Sequence, residues 1–113
     1  MRRPERHFAT PAAVALATDL GAALRDARLA RGRTQRDAAE RARVSVRTLH
    51  RIETGDVAVA FGSWLAVIES LGLQHLLAPL AQRANDSVGE ALRAARGPKR
   101  ARRRSGDELS HDF

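Results

Sequence analysis

The chain has no cysteine and no tyrosine, one tryptophan, one methionine and three phenylalanines in 113 residues. Without cysteine there is neither a disulfide nor a thiolate metal site, a composition that suits a reducing compartment. Nor is there an apolar run approaching the roughly 18 residues of a membrane span. Arg2, Arg3 and Arg6 precede an alanine-rich stretch, Ala12 to Ala17. Pro11, Thr18 and Asp19 leave that stretch too short and too weakly apolar for a secretory leader. The expectation is a cytoplasmic protein with no membrane contact.

Strand signals are also missing. Alternating apolar and polar runs do not occur, whereas apolar residues recur at helical spacing, so the expected class is all-α with five short helices. Catalysis and metal binding lack a converging constellation. His7, His50, His75 and His111 are scattered, no pair has ligand spacing, and no glycine-rich phosphate loop follows a strand. No enzyme, cofactor or metal is expected, and His75 reads as a partly buried bundle residue.

What the chain does have is positive charge, unevenly placed. The net charge is +7. Residues 1–18 contribute +2, residues 19–53 contribute +4, residues 54–92 contribute −3 and residues 93–113 contribute +4. A positive segment followed by a negative one polarises the molecule, as a polyanion binder requires.

Residues 1–11 read as a flexible arm and residues 12–84 as a folded domain. The pattern turns helical from about Ala12, and the first helix is convincing from Asp19, which can cap, with Leu20, Leu24 and Ala27 on one face and Gly32 as its stop. Arg25, Arg28 and Arg31 fall off that face. Thr34 caps a second helix, Asp37 stands at its third position, and small Ala38, Ala39 and Ala42 point inward. Arg43 and Val44 connect to a third helix, capped by Ser45 and running to about Thr54. A fourth spans about Ser63 to Leu71 and a fifth about Leu73 to Ala84, with Pro79 a possible irregularity. Residues 85–113 hold one more short helix, through Val88, Leu92 and Ala95, ended by Gly97-Pro98. A basic tail follows, and residues 97–113 are expected to be disordered.

The third helix carries the chemistry. With Leu49 and Ile52 facing inward, Arg47, His50, Arg51 and Thr54 form one outward stripe at i, i+3, i+4 and i+7. Two arginines and a histidine on a groove-sized helix suit guanine edges or phosphates, and Val46 suits a thymine methyl. Ser45 and Thr48 have hydroxyls for phosphates or for capping.

The stretch TQRDAAERARVSVRTLHRIETG, Thr34 to Gly55, preceded by LGAALRDARLARG, resembles the Xre/Cro-like helix-turn-helix regulators. The Thr34-Gln35 pair, the inward alanine, the Val-Ser turn exit and the closing Ile-Glu-x-Gly carry the resemblance, which covers roughly residues 19–73. It implies a lambda-repressor-like domain of five helices. It further implies a DNA-binding dimer on a palindromic operator, with Gln35 anchored to the backbone and Val46, Arg47 and Arg51 reaching bases. One position departs: Arg43 stands where the turn usually has glycine. A left-handed backbone there costs arginine about 1 kcal/mol, and the departure implies an altered turn or a phosphate contact by Arg43.

The basic C-terminal segment is similar to the ends of HipB-like antitoxins, which repress their own operon and bind a HipA-like kinase toxin. That likeness implies partner contacts by Arg100, Arg102, Arg103, Arg104 and Phe113. A solvated polybasic tail with non-specific phosphate affinity is the other reading, and both stay open. A free-standing phage-type repressor and a partner-binding adaptor are the alternatives for the whole chain. A small core of alanine and leucine favours pairing with a second copy, and Trp64, Leu65, Ile68, Leu76 and Leu80 are the candidate dimer residues.

Overall fold

The computed structural model describes residues 9–101, with the side chains of 98–101 left aside. Among the described residues there are five α-helices, three short 3-10 turns and no strand. The helices are α1 (Pro11–Ala30), α2 (Gln35–Ala42), α3 (Val46–Glu53), α4 (Phe61–Ser70) and α5 (Ser87–Ala101). The all-α expectation holds. The chain divides into two compact units, Met1–Leu76 and Leu77–Phe113.

Local chemistry sets each helix start. α1 begins at Pro11, next to Ala12 where the helical pattern sets in, so Asp19 lies inside the helix and is not its cap. Thr10 is extended, its Oγ1 accepts the Ala13 N–H at 3.1 Å, and Pro11 follows with its φ already helical. Thr34 and Ser45 cap α2 and α3 in the same way, each accepting the third amide inside its helix at 3.0 Å. α4 starts at Phe61, two residues before the predicted Ser63, and has no side-chain cap.

The helix ends share one device. After α1, α2, α3 and α4 the chain takes a left-handed residue, at Gly32, Arg43, Gly55 and Gly72. In each case the next amide bonds back five residues: Arg33 to Arg28, Val44 to Ala39, Asp56 to Arg51 and Leu73 to Ile68. These are Schellman motifs, which satisfy orphan carbonyls and turn the chain sharply. The turn at Arg43 is therefore regular, at φ 59° and ψ 40°, and not altered.

Inside the first unit α1 packs on α3, and α2 packs on both α3 and α4. Leu24, Ala38, Ala39, Ala42, Leu49, Ile52, Val59, Trp64, Val67, Ile68 and Leu71 make up the core. Small side chains allow close approach, most tightly at Gly21, where a Cβ would collide with the Ile52 carbonyl oxygen. Arg31 Nη2 and Arg33 Nη1 donate to the carbonyls of Leu71 and Ser70 at 2.9 and 3.2 Å, placing cations on the negative end of α4.

Four expectations are corrected. Arg28, read as lying off the inner face, is buried at 6% exposure. The predicted fifth helix over 73–84 is replaced by the turns Gln74–Leu76, Ala78–Ala81 and Arg83–Asn85. Pro79 supplies no N–H there, and exposed Leu76 and Leu80 gain no packing that would favour an α-helix. His75 is exposed and not partly buried. Gly97-Pro98 does not end α5, which runs to Ala101, so residues 97–101 are helical where disorder was expected; proline's fixed φ is helical, and its missing N–H falls opposite exposed Ala94.

In the second unit Asp86 caps α5, its Oδ1 accepting the Gly89 N–H at 3.0 Å, and Asn85 Nδ2 donates to the Pro79 carbonyl at 2.9 Å. Val88 and Leu92 on α5 are exposed.

Candidate nucleic-acid interface

α2 and α3 are eight residues each, joined by three residues, 43–45. Val44, half-buried, is held against α2 by the Val44 N–H to Ala39 carbonyl bond at 3.0 Å. Leu49 and Ile52 anchor α3 at 1% and 0% exposure, which fixes its rotation. The opposite face is thereby turned outward. Arg47, His50 and Thr54 are exposed, Val46 is 44% exposed, and the Arg51 side chain is 37% exposed. The predicted stripe exists as a surface.

Its members are not equally free. Arg51 Nε donates to Asp56 Oδ2 at 2.8 Å, and Asp56 Oδ1 accepts the Ala58 N–H at 2.9 Å. The Thr34 and Ser45 hydroxyls serve as helix caps, and Ser45 Oγ also donates to Thr48 Oγ1 at 3.0 Å. Arg43 is exposed at the turn.

Behind this face lies a buried ionic network that the sequence reading did not find. Arg28 Nε and Nη2 donate to Glu53 Oε2 and Oε1 at 2.7 and 3.1 Å, and Arg28 Nη1 donates to the Arg33 carbonyl at 2.8 Å. Gln35 Nε2 donates to the same Glu53 Oε1 at 3.0 Å. Gln35, assigned by resemblance to the DNA backbone, thus has one amide hydrogen committed to the last residue of α3. Its carbonyl and second amide hydrogen are separate groups that this bond does not use. α1 and the start of α2 thus meet on the carboxylate at the end of α3, and the Gly32 turn joins them through the Arg28 guanidinium. A charged pair with its oxygens satisfied on both sides is the arrangement a low-dielectric interior tolerates.

Two short helices at a tight turn, the second outward-facing and basic, form a unit whose second helix can enter a major groove. A family model described as a helix-turn-helix domain matches residues 19–85, more than half of the chain. The chain belongs to the helix-turn-helix domain family. No curated protein and no solved structure matches it.

The helix-turn-helix protein has the lambda-repressor-like all-α fold of a DNA-binding regulator. Among the described residues no helix is long and apolar enough to cross a membrane, and no group of histidines and carboxylates could hold a metal ion. Of the candidate dimer residues, Trp64 and Ile68 are buried, at 6% and 4%, in the core of the first unit, where a second copy would not reach them. Leu65, Leu76 and Leu80 are exposed. The side chain of Arg100 and all of Arg102, Arg103, Arg104 and Phe113 lie outside the described residues.

For Asp56 and Glu53 the sequence predicts a place but not a partner. Asp56 carries no periodic signal, and its only mark in the sequence is its place directly after the turn glycine. Glu53 stands in the Ile-Glu-x-Gly match, but a partner 25 residues upstream is invisible to any helical spacing.

Proposed function

We propose that the protein is a sequence-specific transcriptional repressor that binds a palindromic operator as a symmetric dimer. Each copy lays α3 in a major groove, with half-sites about one helical turn, roughly 34 Å, apart. Arg47 and His50 are the leading base-edge donors, Val46 meets a thymine methyl, and Arg51 adds a guanidinium held at its Nε. Thr34, Gln35, Arg43, Ser45 and Thr48 lie along the phosphates, where hydroxyl, amide and guanidinium donors fix register and carry no sequence information. The observation that carries this reading is the exposed Arg47–His50 stripe on a helix whose rotation is locked by Leu49 and Ile52. Exposed Leu65, Leu76 and Leu80 supply apolar surface for a second copy.

Within that function the protein is the autoregulating antitoxin of a type II pair. Arg100, Arg102, Arg103, Arg104 and Phe113 contact a HipA-like kinase toxin. The basic C-terminal sequence is the feature that favours this assignment over a free-standing repressor.

The test is a titration of purified protein against the duplex just upstream of its own gene and a scrambled duplex of equal length, at rising salt. A repressor keeps its preference for the first duplex at physiological salt. Equal binding to both, lost steeply together as salt rises, means that only charge is felt, and contradicts the assignment.

A further inference from the structure

The ion pair between Arg51 and Asp56 is built into the way α3 ends. The Asp56 N–H donates to the Arg51 carbonyl at 3.0 Å, and the Gly55 N–H to the Ile52 carbonyl at 2.9 Å. Gly55 is left-handed at φ 83° and lies so close to α1 that a Cβ would collide with Thr18. The turn is therefore fixed, and residues 51 and 56 are brought side by side by backbone bonds alone. Helix ends of this kind usually place an apolar contact at that point. Here the contact is a carboxylate and a guanidinium 2.8 Å apart, half-open to solvent, with side-chain exposures of 37% for Arg51 and 23% for Asp56. The Asp56 carboxylate is itself anchored, since its other oxygen accepts the Ala58 N–H at 2.9 Å.

We propose that Asp56 is a positioning residue for sequence readout by Arg51. An arginine on the groove-facing stripe has two destinations, the nearest phosphate and a base edge, and only the second carries sequence information. A fixed carboxylate at Nε takes up one side of the guanidinium fork and sets its plane. The Nη1–Nη2 edge is then the one offered to the O6 and N7 acceptors of guanine. The same carboxylate repels phosphates, so it lowers affinity for any duplex while raising the difference between duplexes. This inference rests on the reading of α3 as the base-contacting helix.

The experiment begins by selecting a preferred duplex for the wild-type protein from a library of double-stranded DNA with a randomised centre. Dissociation constants are then measured on that duplex and on a scrambled one for wild type, Asp56→Asn, Arg51→Ala, Arg51→Lys and Asp56→Asn/Arg51→Ala. Asparagine keeps the acceptor for the Ala58 N–H and removes the charge. The expected result is that Asp56→Asn reduces the preference by about tenfold, the value of one good bidentate base contact, while binding the scrambled duplex at least as tightly as wild type. Arg51→Ala and Arg51→Lys lose the same preference, and Asp56→Asn adds nothing to Arg51→Ala. Undiminished preference in Asp56→Asn or in either Arg51 variant overturns the proposal. So does an Asp56→Asn effect on the preference that persists without Arg51, or a loss of scrambled-duplex binding that marks Asp56 as merely structural. A wild-type protein that selects no sequence defeats the base-reading assignment itself, and this proposal with it. A selective wild type with an unchanged Asp56→Asn defeats only the proposal.

Discussion

Arg28 and Glu53 form a two-pronged, buried ion pair, with Nε to Oε2 at 2.7 Å and Nη2 to Oε1 at 3.1 Å, across 25 residues of sequence. It joins the last turn of the first helix to the last residue of the third. Removing one partner strands the other in a low-dielectric site, which costs about 3–5 kcal/mol. Glu53→Leu and Arg28→Met are each expected to lose that much, enough to unfold most of a small domain. The double variant Arg28→Met/Glu53→Leu is expected to recover a large part of the loss, because no uncompensated charge remains. Urea denaturation of the three variants checks this; losses that simply add would show that the pair is not coupled.

Arg43 occupies a left-handed position, at φ 59°. Replacing it with glycine relieves about 1 kcal/mol of backbone strain, offset in part by glycine's larger freedom in the unfolded chain. Arg43→Gly is expected to keep or raise thermal stability while weakening binding to every duplex alike. If Arg43 contacts a phosphate, the slope of binding against salt falls by about 1. Reduced stability in Arg43→Gly would mean that the side chain holds the turn together.

Trp64 and Leu65 are neighbours on α4 with opposite fates, 6% and 38% exposed. Trp64→Ala leaves a cavity in the core and is expected to cost about 3–5 kcal/mol. Leu65→Glu leaves the fold intact and is expected to shift the protein toward monomer if that face meets a second copy. Thermal melts together with sedimentation at several concentrations separate the two effects.

Much of this was legible in the residues. The caps at Thr34 and Ser45, the inward alanines of α2, the Leu49–Ile52 anchor and the exposed Arg47–His50 stripe all follow from spacing and cap chemistry, which act within one or two turns. The misses have a common cause. Arg28 and the Gln35–Glu53 bond depend on which segments meet in three dimensions, Asp56 meets Arg51 through the left-handed turn at Gly55, and helical periodicity carries neither kind of information. The Thr10 cap was not legible, because the uncharged stretch from 11 to 18 has no clear polar face to mark a helix start. The helix predicted over 73–84 followed leucine spacing, but Pro79 and the lack of a packing partner decided otherwise. His75 was assigned to that helix and shared its fate.

The most direct test of α3 as a sequence reader is Arg47→Ala. Arg47 is exposed on the outward face of α3, and its removal costs the fold little. Dissociation constants for wild type and Arg47→Ala on the preferred and a scrambled duplex, at one physiological salt concentration, suffice. If Arg47 reads a base, the preferred duplex loses about 1–3 kcal/mol and the base preference relaxes at one position. A variant as selective and as tight as wild type would contradict the assignment of α3 to the major groove.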